Sequence, residues 1–199
     1  MKTGILLFFL LMITTVCSSQ SYKTKEALKS VGNYEVDDNG NVTFMRIVEL
    51  DSMKSAEIFN RAQEYFTYHY GSGESVLQVN DRETGRLLGK GLYTKTAVIN
   101  GIPYIITDTW HILRIDVKDS KARLTLSLTE YSGTSEFDNS VNHFNDLVSS
   151  KYPINADSNW KNAFGQAFAE SYKRANLTLD ALEKTLKEGT TFKNADKDW

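Results

Sequence analysis

Between residues 74 and 131 the chain reads as four strand-like runs, 74–80, 86–98, 104–117 and 122–131, with only short turn signals between them: Asp81-Arg82-Glu83-Thr84-Gly85, Asn100-Gly101 and Lys118-Asp119-Ser120. No other feature constrains the fold as much. A parallel connection needs a crossover of about a dozen residues or more, whereas antiparallel strands close through a tight turn. The four runs are therefore expected to be hairpin neighbours in an antiparallel meander. In the last run Leu124, Leu126 and Leu128 alternate with Thr125, Ser127 and Thr129, which gives one buried face and one wet face.

The flanking segments supply what covers that sheet. After a polar lead (21–30), residues 34–44 read as two short strands around Asn39-Gly40, since both turn residues tolerate positive φ. The second strand runs on to Leu50. Asp51-Ser52 then offers an N-cap, and Ile58, Phe59, Ala62, Tyr65, Phe66 and His69 recur at helical spacing, predicting a helix over 53–70 that Gly71 and Gly73 end. Past residue 131 the spacing becomes helical. Phe137, Val141, Phe144 and Val148 predict a helix over 137–150, broken by Pro153. Asp157-Ser158 predicts the cap of a longer helix whose stripe runs through Trp160, Phe164, Phe168, Tyr172, Ala175, Leu179, Leu182 and Leu186 to a stop at Gly189. A helix among strands, with helices last, is an α+β pattern. The expected architecture is a curved antiparallel sheet packed by one internal helix and a long C-terminal helix, with Trp160, Phe164 and Phe168 as core anchors. This places an α+β domain at 33–131, a helical extension packed on it at 137–188 and a flexible tail at 190–199.

The N-terminus reads as an address. Lys2, the apolar run 5–13 and the small-residue exit before Gln20 are the three parts of a secretory signal peptide at 1–19. The apolar run falls short of the roughly 20 residues a membrane span requires. The expectation is an exported, periplasmic or extracellular protein with no integral span once the signal is removed. The alternative of lipid anchoring at Cys17 needs a lipobox that Thr14 and Val16 supply poorly. Lys+Arg 23 against Asp+Glu 25, with a pI near 6.0, argues against a nucleic-acid partner, which demands a basic surface. A single Cys excludes a disulfide scaffold.

The stretch 54–93, with Lys54-Ser55-Ala56-Glu57-Ile58-Phe59-Asn60-Arg61-Ala62-Gln63-Glu64-Tyr65-Phe66, then Val76-Leu77-Gln78-Val79-Asn80-Asp81 and Gly85-Arg86-Leu87-Leu88-Gly89-Lys90-Gly91, resembles an uncharacterised exported domain of Bacteroidetes-type bacteria with a TATA-binding-protein-like (TBP-like) fold. The resemblance covers roughly 42–131 and leaves the final helices outside. It implies the fold and no catalytic residues, and a fold name does not carry DNA binding with it.

Catalytic and metal patterns mostly fail on inspection. Gly85-Arg86-Leu87-Leu88-Gly89-Lys90-Gly91 has three residues between Gly85 and Gly89 where a phosphate loop needs four, and Gly91 where it needs a hydroxyl. Gly85 is better read as closing a hairpin, with Gly89 and Gly91 marking a bulge or bend. Glu35-Val36-Asp37-Asp38-Asn39-Gly40 begins like a calcium loop, yet Arg46 stands where the closing carboxylate belongs. His69, His111 and His143 lie in different elements with no zinc-helix spacing, so neither metal nor cofactor is expected. In a strand, Asp108 and Trp110 point one way and His111 the other, which separates the would-be Asp-His couple. No nucleophile elbow is present. Asp81, Glu83, Asp108 and Asp116 qualify as paired carboxylates only in the loose sense that such pairs need be close in space alone. Asp51-Ser52-Met53 matches a short O-glycosylation signal that a helix cap explains equally well.

The reading that follows is a non-enzymatic module recognising an envelope protein or glycan through the exposed sheet face or the C-terminal tail, with Tyr93, Tyr104 and Trp110 as contributors and His111 the imidazole to watch. The alternative is a helix-grip carrier of a small apolar ligand, lined by Trp160, Phe164, Phe168 and Tyr172 in a cavity of about 300 Å³ or more between helix and sheet. A hydrolase built on His111 or scattered carboxylates comes third.

Overall fold

The computed structural model describes residues 21–70 and 77–189. The chain runs α1 (Tyr22–Lys29), β1 (Glu35–Val36), β2 (Val42–Glu49), α2 (Ser55–His69), β3 (Leu77–Asp81), β4 (Arg86–Ile99), β5 (Tyr104–Lys118), β6 (Lys121–Phe137), β7 (Ser140–Leu147), a 3₁₀ turn (Val148–Ser150) and α3 (Lys161–Glu188). The sheet is antiparallel throughout, in the order β1-β2-β6-β5-β4-β3, and β7 also pairs with β6. β2 borders the first half of β6 (Val42↔Leu128) and β7 the second (Phe137↔Ser140). The α+β class, the antiparallel meander and the long C-terminal helix agree with the sequence reading.

Alternation fixes the two faces. Along β5, Ile105, Thr107, Thr109, His111, Leu113, Ile115 and Val117 are buried while the residues between them are partly exposed. The buried row faces α2 and α3, where Leu124, Leu126, Leu128, Ile58, Phe66, Phe164, Phe168 and Leu182 are wholly enclosed. Burying each such side chain contributes about 1.5–3 kcal/mol.

Four expectations are corrected. Residues 140–147 form β7 and not a helix, because the chain returns from the turn at Asp138 and Asn139, both at positive φ, onto the free half of β6. The stripe at 137–148 mimicked helical spacing, yet Phe137 and Val141 are exposed, while Phe144 packs edge-on to Phe164 (5.9 Å) and Val148 enters the core from the 3₁₀ turn that follows. Asp51-Ser52 does not cap α2: Ser52 sits in a turn at φ 63° and the Ser55 N–H donates instead to Asp119 Oδ1 at 2.8 Å, a cap from a distant hairpin. Asp157-Ser158 likewise gives α3 no side-chain cap, and the helix starts after Trp160, which is 40% exposed rather than a core anchor. The polar lead contains α1, whose Thr24 is buried. Gly71, Gly73, the signal at 1–19 and the tail at 190–199 lie outside the described residues.

Candidate functional site

The face of the sheet away from the helices carries Met45 and Ile47 on β2, Val79 on β3, Leu88, Lys90 and Leu92 on β4, and Tyr104, Trp110 and Ile112 on β5. Met45 and Ile47 are 61% and 59% exposed, and Val79 and Leu92 are also open. The Lys90 ammonium stands 4.4 Å from the centre of the Trp110 ring, a cation–π contact worth about 0.5–1 kcal/mol at such a site. No described helix lies on this face.

At one end of it three arginines from neighbouring strands converge on one carboxylate. Arg86 Nε donates to Asp116 Oδ1 (2.8 Å), Arg123 Nη2 to Oδ2 (2.9 Å) and Arg114 Nη2 to Oδ1 (3.0 Å), while Arg114 Nε lies 2.9 Å from Oδ2 without the alignment of a hydrogen bond. Burial alone would raise the Asp116 carboxyl. The hydrogen bonds from Arg114, Arg86 and Arg123 outweigh it and bring the group down to about 2. The cluster keeps a positive surplus at the rim of an apolar patch.

Beneath α2 and α3 lies a second constellation. His111 is 1% exposed, stacked on Tyr93 at 4.0 Å between ring centres, and its Nε2 is 3.0 Å from Tyr70 Oη. Tyr93 Oη meets Thr178 Oγ1 at 2.8 Å, and Tyr65 Oη donates to the Thr178 carbonyl at 3.3 Å. Gly91 makes room for the imidazole, since a Cβ there would sit 2.6 Å from its ring. Burial lowers His111 to about 4 and raises the Tyr93 phenol to about 12, with Tyr65 and Tyr70 also pushed up by burial. The imidazole and its phenols are therefore neutral at pH 7. Among the described residues His111 Nδ1 has no hydrogen-bond partner, and Asp108 is on the other face, accepting the Lys95 N–H at 2.6 Å.

The site residues named from sequence thus separate into three places. Tyr104 and Trp110 are on the open face. Tyr93 belongs with His111 in the interior, because it follows the buried parity of β4 and not that of Trp110. Trp160 and Phe164 stack at 6.2 Å and pack against Phe144, and Phe164 also meets Tyr131 at 5.2 Å, so these rings fill the space beneath the start of α3. The acidic turn at 35–40 is explained by Asp37, whose Oδ1 accepts the N–H groups of Asn39 and Asn41 and whose Oδ2 accepts Asn41 Nδ2. Among the described residues no group of three His, Cys, Asp or Glu is placed to hold a metal ion. No described helix is long and apolar enough to cross a membrane.

Two clefts stand out among the described residues. One, of about 900 Å³, lies between α1, α3 and the upper part of β4. The other, of about 400 Å³, lies between the start of α2 and the β3–β4 and β5–β6 turns. Neither is lined by His111 or its phenols.

Residues 44–132 match a family described as a domain of unknown function (DUF4468) with a TBP-like fold. Among solved structures the chain is similar to a TBP-like protein from Parabacteroides distasonis, with TM-score 0.51 and 16% identity, covering 75% of this chain and 96% of that one. It is also similar to a DUF4468 family protein from Bacteroides ovatus, with TM-score 0.52 and 11% identity, covering 82% of this chain and 95% of that one. At these identities the likeness shows the fold. No curated protein matches the sequence.

Proposed function

We propose that this chain, a DUF4468 protein with a TBP-like fold through residues 44–132, is an exported, non-enzymatic binding module that recognises an envelope protein or glycan through its open sheet face. The observation that carries the reading is the open row Met45, Ile47, Val79, Leu92 beside the Trp110–Lys90 pair, on the face no described helix covers. Apolar side chains flanked by Trp and Arg match the residue types that dominate interface energetics. The absence of an enzymatic role is supported by the neutral surroundings of His111 and by the use of Asp116, Asp37 and Asp81 in arginine contacts and turns. Export rests on the segment 1–19 alone.

The test is parallel affinity capture from envelope extract with residues 20–199 and with a Met45→Lys/Ile47→Lys variant. Both positions are exposed, so the fold is expected to hold to within about 0.5 kcal/mol. Loss of a stoichiometric partner from the variant supports the reading. Capture of the same partner at the same yield by both proteins refutes it.

A further inference from the structure

The larger cleft stands apart from the open sheet face and from the His111 cluster, and its lining has an unusual division. Its apolar part is built from small or aliphatic side chains, Ala27 of α1, Ala97 and Val98 of β4, and Ala169 and Leu177 of α3. Three alanines on three elements leave the volume that larger residues would fill. Val98 and Leu177 stay exposed within it, at 37% and 57%. Its cations are Lys23, Lys95, Lys173 and Arg174, against one carboxylate, Glu170. Arg174 takes that carboxylate at 2.8 Å and caps the Thr94 carbonyl at 2.7 Å. Lys23, Lys95 and Lys173, one from each wall, make no ion pair among the described residues.

The walls are held in place by contacts that do not use those lysines. α1 crosses α3 at Gly165, where a Cβ would come within 2.5 Å of Thr24 Cγ2. Asn162 Oδ1 accepts the Ser21 N–H at 2.7 Å, and Gln166 Nε2 donates to Thr24 Oγ1 at 3.4 Å. The next turn of α1 then presents Ala27 and Ser30 to the cleft. On the sheet side Lys95, at φ 52°, interrupts the register between Tyr93 and Ala97. β3 pairs with β4 only over Arg86–Gly89, so this stretch of β4 has β5 as its sole strand neighbour among the described residues.

We propose that this cleft binds a small single-chain amphiphile with an anionic head, its chain against Ala27, Ala97, Val98, Ala169 and Leu177 and its carboxylate or phosphate among Lys23, Lys95 and Lys173. The volume lies within the roughly 300–1,000 Å³ of small-molecule sites. An apolar floor beneath unpaired ammonium groups selects for such a molecule over a neutral one, because long lysine stems pack on a chain while their heads reach the anion. The site is independent of the open-face reading, and either can fail alone.

The test is calorimetric titration of the full chain after signal removal with laurate, 1-dodecanol, inorganic phosphate and phosphatidylglycerol vesicles. Laurate is expected to bind one to one, and more tightly than 1-dodecanol or phosphate. Replacing the three exposed lysines, Lys23→Gln/Lys95→Gln/Lys173→Gln, is expected to weaken laurate about tenfold while leaving 1-dodecanol unchanged. Ala27→Trp, which fills the floor, is expected to weaken both. No laurate binding, laurate binding that neither variant alters, equal affinity for phosphate alone, or binding only to vesicles would each overturn the proposal.

Discussion

A buried imidazole that the folded chain keeps neutral makes stability depend on pH in a window that the carboxylates do not share. His111 has an ordinary value of 6.5 when exposed and about 4 in the fold, the cause being burial. The folded state therefore binds fewer protons than the unfolded state as pH falls, so the sign is loss of stability on acidification, beginning near 6.5 and complete below about 4. At ~1.36 kcal/mol per pH unit the full loss is about 3 kcal/mol, and at about pH 5 it has reached about 2 kcal/mol. Asp116, whose carboxyl lies near 2, contributes its own acid loss only below its ordinary 3.8. The perturbation is His111→Phe, which keeps a ring against Tyr93 but leaves the Tyr70 hydroxyl unpaired, at a cost of about 1–3 kcal/mol at neutral pH. Urea unfolding of both proteins at several pH values between about 7.5 and 4.5 separates the two effects, because the offset is constant while the slope belongs to the imidazole. The wild-type midpoint should fall steadily through this window and the variant midpoint should stay nearly level. A variant with the wild-type slope, or a resonance assigned to His111 in the native protein titrating near 6.5, would refute the reasoning.

Three further outcomes are expected. Gly133→Ala should destabilise by about 3 kcal/mol, measured by denaturant unfolding, since its Cβ would fall 2.0 Å from the Ile106 carbonyl oxygen, a backbone atom that cannot turn aside. Asp116→Asn should cost about 1–3 kcal/mol at neutral pH and flatten the stability profile between 3.8 and about 2, seen in acid titration of the folded state. Thr109→Val, which keeps the shape but removes a wholly buried hydroxyl bonded to both Thr96 and Ser171, should cost about 1–3 kcal/mol by thermal or urea unfolding.

How much was legible follows from which signals are local. The Asn39-Gly40 turn, the β4–β5–β6 meander and the end of α3 at Gly189 were readable because turn chemistry and side-chain period act within a few residues. β7 was not, since its pairing depends on β2 leaving half of β6 free, a fact of the whole sheet. The α2 cap hid for the same reason, being supplied by Asp119 from another hairpin. The arginine cluster was half legible. Counting outward from the turn at 118–120 pairs Asp116 with Arg123, but counting from the Asn100-Gly101 turn to Arg86 crosses the irregularity between Tyr93 and Ala97 and loses the register. Tyr93 continues the buried row Leu87, Gly89, Gly91 of β4 and pairs with Thr109, so it lies on the inner face, one residue out of step with the Leu92–Trp110 pair.

The buried polar row of β5 explains why the irregularity is tolerated and why the helix and cleft sit where they do. Thr96 Oγ1 donates to the Thr107 carbonyl at 3.0 Å and lies 2.9 Å from Thr109 Oγ1, to which Ser171 Oγ donates at 2.8 Å. With one proton per hydroxyl, the assignment is a relay in which Ser171 gives to Thr109, Thr109 to Thr96, and Thr96 to the backbone. A buried hydroxyl left without its bond would cost about 1–3 kcal/mol, so sliding α3 along the sheet would strand Ser171 Oγ and remove the bond that Thr109 accepts. One turn beyond Ser171, Arg174 reaches the Thr94 carbonyl freed by the bulge. The apolar stripe of α3 thus determines that the helix packs on the sheet, while this hydroxyl chain determines at which residue. By setting Ala169, Lys173 and Leu177 opposite Ala97 and Val98, it also determines the walls of the cleft.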